Sequence, residues 1–329
     1  MQIHGMCLIK NESDVICEAI RAAINWCDFI YVYDNGSDDG TWEKLQELAT
    51  ECSQIVLYKQ DGKPFSDGLR AEIYNNYRAR SSPGDWWCRL DADEFYIDDP
   101  RIFLAKVPPE YKAVMSASFS YYLTDQDAAL YRQTPSLYAD DVPVEQKCRY
   151  YLNHWSEIRF FRYAPDLEWK SGGWPAAILQ AAVYDVRIWV KHFAYRSPQQ
   201  IEKRLQTRQR TISQGEFIHE AIPNWGEAIG SIRDDLTRGL KSAGSKHAGT
   251  KWEQRVVDAS KLNYDAHDRR YVVNEDLMPA IPTARLPELA FSLGRIFSMA
   301  VVQRISARYA RAQRLVGRII PKLRSKLKT

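Results

Sequence analysis

Two aspartates one residue apart, Asp91 and Asp93, directly follow the apolar run 86–90. Carboxylates at positions i and i+2 of a strand-to-loop turn can aim at a single hard cation, either directly or through water. Oxygen ligands of this kind suit Mg²⁺ or Mn²⁺, which also bridge to the phosphates of a nucleotide. A solvated acidic turn is the alternative for any such pair, but the apolar strand that leads into this one favours a metal site.

Polar residues also follow three earlier apolar runs, so that four successive strand ends are acidic or rich in amides. These ends are 10–12, 34–41, 60–62 and 91–94. Ligands of an open parallel sheet bind beyond the carboxyl ends of its strands, so these positions together predict a binding site. Turns and helix caps use the same residue types, and this is the structural alternative at each position.

Strand-like and helix-like segments alternate over the first hundred residues. The predicted strands are 3–10, 29–34, 54–59 and 86–90, and the predicted helices are 13–26, 41–51 and 68–80. This alternation predicts an α/β fold with a doubly wound, mostly parallel sheet and helices on both faces. Further strand-like runs follow at 114–122, 157–163 and 187–194, and Ser197 begins another helix with a capping-box pattern.

The composition, with 45% hydrophobic and 26% charged residues among 329, is typical of a globular protein and excludes a disordered chain. We expect neither secretion nor a membrane span, because no apolar window of about 18 residues and no signal-peptide pattern occurs. Six scattered cysteines without a C-x-x-C pair are typical of reduced thiols in the cytoplasm and disfavour a zinc site.

Positive charge is concentrated at the end of the chain. The segment 285–329 contains eleven Lys and Arg residues against one acid, Glu288, so its net charge is +10 and the first 284 residues carry −7. Apolar residues recur at helical spacing after residue 301, which predicts a basic amphipathic helix that Pro321 would kink. Such a helix can lie on an anionic membrane surface, and packing on the core or against a partner helix are the alternatives.

Three segments resemble family 2 glycosyltransferases of the GT-A fold in their order and spacing. They are 7–12 (CLIKNE), 33–41 (YDNGSDDGT) and 90–95 (LDADEF). The resemblance covers roughly residues 1–100 and implies a GT-A catalytic domain over 1–284, followed by the basic tail 285–329. Within that domain, 1–100 would bind the nucleotide-sugar, and 101–284 would provide the acceptor side and accessory helices.

The resemblance also implies a role for individual residues. Asp91 would face the ribose of a UDP- or GDP-sugar, and both Asp91 and Asp93 are assigned to the Mg²⁺ or Mn²⁺ site. His192 resembles the histidine that completes the metal shell, with a packed strand-end histidine as the alternative. Arg70 resembles a basic residue on the helix before the metal motif, with a surface arginine as the alternative. The residues expected near the base and ribose are Asn11, Glu12, Asp34, Asn35, Ser37 and Asp38.

The implied reaction inverts the anomeric carbon, and it needs a carboxylate to deprotonate the acceptor hydroxyl. Glu168 is the first candidate and joins Asp91 and Asp93 as a predicted catalytic residue. The other candidate bases are Asp141, Glu157, Asp166 and Asp185. Relatives often carry a histidine after a glycine on the acceptor side, and the stretch 170–175 lacks it. Trp174 in that stretch is a candidate for stacking on a sugar ring.

Two other functions compete with the glycosyltransferase. A nucleotidyltransferase shares the nucleotide-binding sheet, but it would normally carry a basic, glycine-rich loop where 10–14 is acidic. A non-enzymatic protein with a nucleic-acid- or membrane-binding tail is the third, and the acidic body disfavours nucleic acid. We therefore expect a cytoplasmic enzyme with a glycan or glycolipid acceptor, held at the inner face of the cell membrane by 285–329.

Overall fold

The structure is a computed structural model and describes residues 1–66, 68–170, 173–212, 229 and 250–282. The predicted basic tail, 285–329, lies outside these residues. Contacts along the chain group Met1–Thr283 into one unit.

The described residues form a sheet with helices packed on it. The strands are β1 (Ile3–Ile9), β2 (Phe29–Asp34), β3 (Ile55–Gln60), β4 (Trp86–Leu90), β5 (Glu94–Tyr96), β6 (Ala113–Tyr122), β7 (Tyr150–Trp155), β8 (Ile158–Arg162), β9 (Ile188–His192) and β10 (Asn263–Tyr264). The α-helices are α1 (Ile16–Ala23), α2 (Thr41–Glu51), α3 (Leu69–Tyr77), α4 (Pro100–Leu104), α5 (Asp125–Gln133), α6 (Val144–Lys147), α7 (Ala176–Leu179) and α8 (Pro198–Ile212). Short 3-10 helices cover Arg78–Arg80, Pro135–Tyr138, Trp252–Arg255, Ala259–Lys261 and Glu275–Leu277.

The N-terminal half of the sheet is parallel, as the alternating pattern predicts. Strand β1 lies between β2 and β4, and β2 continues to β3. Side chains of β1 alternate between the two faces of the sheet. On one face Cys7 belongs to the same apolar cluster as Ile16 of α1, and on the other Met6 belongs to the same cluster as Ile73 of α3. Helices therefore cover both faces, and the predicted α/β class is confirmed.

Beyond β4 the sheet also contains antiparallel pairs. Strands β7 and β8 run antiparallel along one edge of β6, with a break between them at Ser156 and Glu157, and β8 also pairs antiparallel with β4. On its other edge, β6 pairs with β9 in parallel. The antiparallel partners are far apart in the chain, since residues 123–149 lie between β6 and β7 and residues 91–157 lie between β4 and β8. Packing of distant segments, rather than a short turn, therefore sets the direction of these strands.

Strand β9 brings the second half of the chain to the end of β4. It pairs antiparallel with β5, so that His192 lies opposite Glu94. Residues 193–197 separate β9 from helix α8, and Ser197 Oγ accepts the Gln200 N–H at 3.2 Å as the capping pattern predicts. The turn after β4 is therefore bordered by β9 and by α8.

Candidate active site

The loops after β1 and β2 are joined by hydrogen bonds. The Asn11 N–H donates to Ser37 Oγ at 2.9 Å, and the Asp38 N–H donates to Asn11 Oδ1 at 3.0 Å. Asn11 has a φ of 56°, in the left-handed region that asparagine adopts more readily than most residues. The Glu12 N–H donates to Thr41 Oγ1, at the start of α2, at 3.0 Å. The structure thus brings together four of the predicted nucleotide-binding residues.

Asp34 and Asn35, at the end of β2, differ in how their side chains are used. The Asn35 amide donates to the Lys63 carbonyl at 2.8 Å and so ties this loop to the one after β3. Asp34 is fully buried, and its Oδ1 accepts the Ser37 N–H at 2.7 Å. Its Oδ2 has no hydrogen-bond partner among the described residues. A buried acceptor without a partner is costly, so Asp34 is suited to receive a hydrogen bond from a ligand.

Asp91 is bound by three arginines from three elements. Arg70 of α3 donates to Oδ1 at 2.5 Å. Arg89 of β4 and Arg159 of β8 donate to Oδ2 at 2.9 and 2.7 Å. Burial alone would raise the pKa of Asp91, but the three guanidinium groups hold it well below its ordinary value. Both oxygens of Asp91 therefore face arginines rather than a cation position shared with Asp93.

Arg159 links Asp91 to two further acids. Its buried guanidinium contacts Glu94 Oε1 and lies 2.8 Å from Glu157 Oε1. Arg89 donates to the other oxygen of Glu157 at 3.2 Å. Burial opposes ionisation of Glu157, but the two arginines prevail and lower its pKa to about 2. Glu157 therefore stays ionised and paired, which makes it a poor acceptor for a substrate proton.

Asp93 faces different groups, across the pairing of β5 with β9. The Phe193 N–H donates to the Asp93 carbonyl at 2.8 Å, and His192 Nε2 lies 3.5 Å from Asp93 Oδ2. Arg204 Nη1 of α8 and Arg196 Nη1 lie 3.5 and 3.9 Å from the same oxygen. Burial would raise the pKa of Asp93, but His192 and the two arginines outweigh it and lower the pKa. The structure thus places two of the three predicted metal ligands, Asp93 and His192, together.

Arg196 connects Asp93 to the loop after β1. It is fully buried and makes two bonds to Asp14, at 2.8 and 2.7 Å, and one to Glu12 at 2.6 Å. Burial raises the pKa of Glu12 to about 7, because Arg196 offsets only part of the desolvation and the charge of Asp93 adds to it. The short segment from His192 at the end of β9 to Arg196 therefore supplies an imidazole and an arginine that border Asp93.

The acids in this second cluster meet their basic partners less closely than Asp91 meets its own. Glu12, Asp14 and Asp93 share the cluster with Arg196, Arg204 and the buried Lys147. Burial would raise the pKa of Asp14, but Arg196 and Lys147 lower it. The guanidinium groups of Arg204 and Arg196 lie 3.5 and 3.9 Å from Asp93, whereas three arginines lie 2.5 to 2.9 Å from Asp91. Asp93 is therefore the carboxylate of the pair that a cation can bind at the lower cost.

The spacing of Asp93 and His192 fits a shared divalent cation. Their facing atoms are 3.5 Å apart, and two neighbouring ligands that are each about 2.1 Å from one ion lie about 3 Å apart. Asp93 and His192 therefore fit as two protein ligands, with phosphate and water oxygens for the other positions. Among the described residues, no group of three or more His, Cys, Asp or Glu side chains is placed to hold a metal without such help.

Glu168 lies outside both clusters. Its side chain is 70% exposed, and its carboxylate lies 3.5 Å from Lys170 Nζ. Nearby, Trp174 stacks on Trp169 with 5.2 Å between ring centroids, so one face of the predicted sugar-stacking ring is already covered. The structure therefore gives no support to a catalytic role for Glu168 beside Asp93. The remaining candidate bases, Asp141, Asp166 and Asp185, are also exposed.

Four arginines of the site escaped prediction. They are Arg89, Arg159, Arg196 and Arg204. The sequence does contain a signal for Arg89 and Arg159, because each interrupts an apolar strand. A charged side chain within a buried strand needs an opposite charge nearby. No comparable pattern distinguishes Arg196 and Arg204 from the other basic residues around α8.

Comparisons with known proteins do not show a family for this chain. No protein-family model and no curated protein matches the chain. Among solved structures, the chain is similar to one described as the crystal structure of a mycobacterial protein. The identity is 15%, and the match covers 64% of this chain and 74% of that one. The TM-score is 0.27, which is too low to indicate a shared fold or function. Within the described residues, no helix has both the length and the apolar character to cross a bilayer.

Proposed function

We propose that this protein is a metal-dependent glycosyltransferase of the GT-A kind, which transfers a sugar from a UDP- or GDP-sugar to an acceptor hydroxyl. The observation that carries the proposal is the contrast between two neighbouring aspartates. Three arginines lie 2.5 to 2.9 Å from Asp91, whereas Asp93 faces His192 at 3.5 Å and its two arginines at 3.5 and 3.9 Å. A cation site at the ends of parallel strands is what the diphosphate of such a donor requires.

The strand ends beside this cluster supply groups suited to the nucleoside of the donor. Asp34 keeps a buried carboxylate oxygen for a hydrogen bond from a ligand. The loop containing Ser37 and Asp38 is held against Asn11, which fixes the rim of that site. The resemblance of segments 7–12, 33–41 and 90–95 to family 2 glycosyltransferases supports the same assignment.

In this proposal the residues divide the chemistry between them. Asp93 and His192 would hold Mg²⁺ or Mn²⁺, which when bound neutralises charge on the departing nucleoside diphosphate. Asp91, locked by Arg70 and Arg159, keeps the turn that carries Asp93 rigid. The acceptor hydroxyl would attack the anomeric carbon as the diphosphate leaves and would pass its proton to a general base, which inverts the configuration at that carbon.

The acceptor and the location are further parts of the proposal. We infer a glycan or glycolipid acceptor and a cytoplasmic enzyme at the inner face of the membrane. The sequence of 285–329 supports this, since its +10 charge and apolar helical spacing suit an anionic surface.

Thermal unfolding with UDP or GDP, each with Mn²⁺ or with EDTA, tests the proposal. We expect either nucleotide to raise the melting temperature only with Mn²⁺, since a ligand at about 100 times its Kd stabilises by roughly 2.7 kcal/mol. Asp93→Asn should abolish this shift, and Glu168→Gln is the matched control that should keep it. Equal stabilisation in EDTA would contradict a metal bridge, and no shift with any nucleoside diphosphate would contradict the function.

A further inference from the structure

Arg204 reaches the same carboxylate oxygen that the proposed cation site uses. Its Nη1 lies 3.5 Å from Asp93 Oδ2 and 3.9 Å from Glu12 Oε1. The guanidinium also lies over the Tyr195 ring, 5.5 Å from its centroid, and 11% of the side chain is exposed. A positive charge from α8 therefore borders the position between Asp93 and His192.

The contact of Arg204 with these acids is looser than that of Arg196. Arg196 is fully buried and bonds to Glu12 and Asp14 at 2.6 to 2.8 Å. The separations of Arg204 from Asp93 and Glu12 exceed the length of a good charge-assisted hydrogen bond, about 2.7–2.9 Å. Arg196 thus fixes the cluster through short bonds, whereas Arg204 contributes its positive charge to Asp93 and Glu12 from a longer distance.

A divalent cation at Asp93 would lie close to the Arg204 guanidinium, and like charges repel strongly at a partly buried site. A diphosphate bound to that cation changes the balance, because its oxygens give the planar guanidinium an alternative anionic partner. Asp93 and the diphosphate are therefore alternative partners of Arg204. The contact with Asp93 belongs to the site without nucleotide, and the contact with the diphosphate belongs to the site with nucleotide bound.

We propose that Arg204 exchanges partners, from Asp93 in the metal-free protein to the diphosphate in the complex with metal and nucleotide. This inference rests on the proposed function and adds a coupling residue to it. Arg204 weakens the binding of the cation alone and strengthens the binding of the metal-nucleotide complex. Cation and nucleotide consequently bind together, and Arg204 adds to the positive coupling that the metal bridge to the diphosphate provides.

The test measures two affinities on the full chain and its variants. The first is that of Mn²⁺ alone, from the electron paramagnetic resonance signal of the unbound ion. The second is that of UDP, and separately of GDP, in saturating Mn²⁺, by calorimetry. Arg204→Gln removes the charge, and Arg204→Met is a second neutral variant whose apolar, unbranched side chain can still cover Tyr195. Lys203→Gln is the matched control, because Lys203 is the preceding residue of α8 and pairs with Asp39 at 3.2 Å.

We expect opposite changes in the neutral variants. Mn²⁺ alone should bind about tenfold more tightly, and the nucleotide in saturating Mn²⁺ about tenfold more weakly, a scale usual for coupled sites. Lys203→Gln should change neither affinity. If Arg204 had a merely structural role, its loss would weaken the binding of both Mn²⁺ and the nucleotide. Weaker binding of both, or an unchanged affinity for Mn²⁺ alone, would overturn the inference while leaving the proposed function intact. Failure of the wild type to bind Mn²⁺ and nucleotide would overturn both.

Discussion

Asp93 and His192 are 99 residues apart in the sequence, and their side chains are 3.5 Å apart because β5 pairs with β9. The pairing extends to the backbone, where the Phe193 N–H donates to the Asp93 carbonyl at 2.8 Å. The relative position of carboxylate and imidazole is therefore set by a strand ladder rather than by a loop. Sites built on such elements hold their geometry more closely than sites on loops.

Replacement of His192 by Ala should raise the Mn²⁺ concentration needed for half-maximal stabilisation by UDP or GDP. We expect a rise of about tenfold or more, since even the loss of a group behind a metal ligand costs affinity on that scale. The measurement is a metal titration followed by thermal unfolding. His154→Ala is the control, because that imidazole lies on β7 beside Tyr122. An unchanged titration would assign His192 to packing.

Asp91→Asn should destabilise the protein far more than Asp93→Asn. Asp91 is the common acceptor of three buried or half-buried arginines, and removing one partner of such a cluster costs roughly 3–5 kcal/mol. Asp93 lies 3.5 and 3.9 Å from its two arginines, so Asp93→Asn removes weaker pairs and should cost less, roughly 1–2 kcal/mol. Unfolding by urea, without metal, compares the two. Similar losses would show that the two carboxylates are held equally tightly.

The pH dependence of stability should contain a contribution from Glu157. Its pKa is lowered from 4.5 to about 2, so the folded state binds its proton less tightly than the unfolded state does. The resulting stability is present above pH 4.5 or so and is lost as the pH falls toward 2. We expect Glu157→Gln to be less stable than wild type by roughly 2–3 kcal/mol at pH 7, with the difference shrinking below pH 4.5.

Glu168→Gln is the control for that pH series, because Glu168 is exposed and pairs only loosely with Lys170. It should unfold like the wild type at every pH. A difference between wild type and Glu157→Gln that persists unchanged at pH 3 would place its origin in packing rather than in the ion pairs with Arg89 and Arg159.

The sequence of the basic tail, 285–329, predicts binding to an anionic membrane surface. The full chain should float with vesicles that contain anionic lipid, and a chain ending at Ala284 should not. Each basic residue near such a surface contributes on the order of 1 kcal/mol, so a few of the eleven suffice. Added salt should weaken this binding by screening. A sharp fall in melting temperature on truncation would instead assign the tail to the core.

The first half of the fold is predictable because its signals are local. Apolar runs such as 29–34 and 86–90 end in polar residues, and the observed strands β2 and β4 end at those places. The carboxyl ends of parallel neighbours then lie together without further information. The antiparallel pairing of β8 with β4 joins Trp86 to Arg162, and no local pattern reports a contact over that distance.

The functions of the charged side chains are less accessible from sequence than the strands. Asp91 and Asp93 form a single motif in the sequence. Their surroundings differ only in the fold, where Arg70 and Arg159 contact Asp91 and His192 lies beside Asp93. Glu168 and Glu157 are both acids near strand-like runs, yet one is exposed and the other lies between two arginines. Burial and partner charge decide what an acid can do, and both depend on packing between distant segments.

The bonds that join Arg196 to Glu12 and Asp14 span 184 and 182 residues of chain. Strands β1 to β4 can pair as soon as the first ninety residues have left the ribosome, whereas this arginine emerges about a hundred residues later. Until then, the acids at the end of β1 lack their main counter-charge. Closure of so long a loop is slow compared with pairing of neighbouring strands. The rim that carries the proposed chemistry consequently matures later during synthesis than the parallel strands β1 to β4.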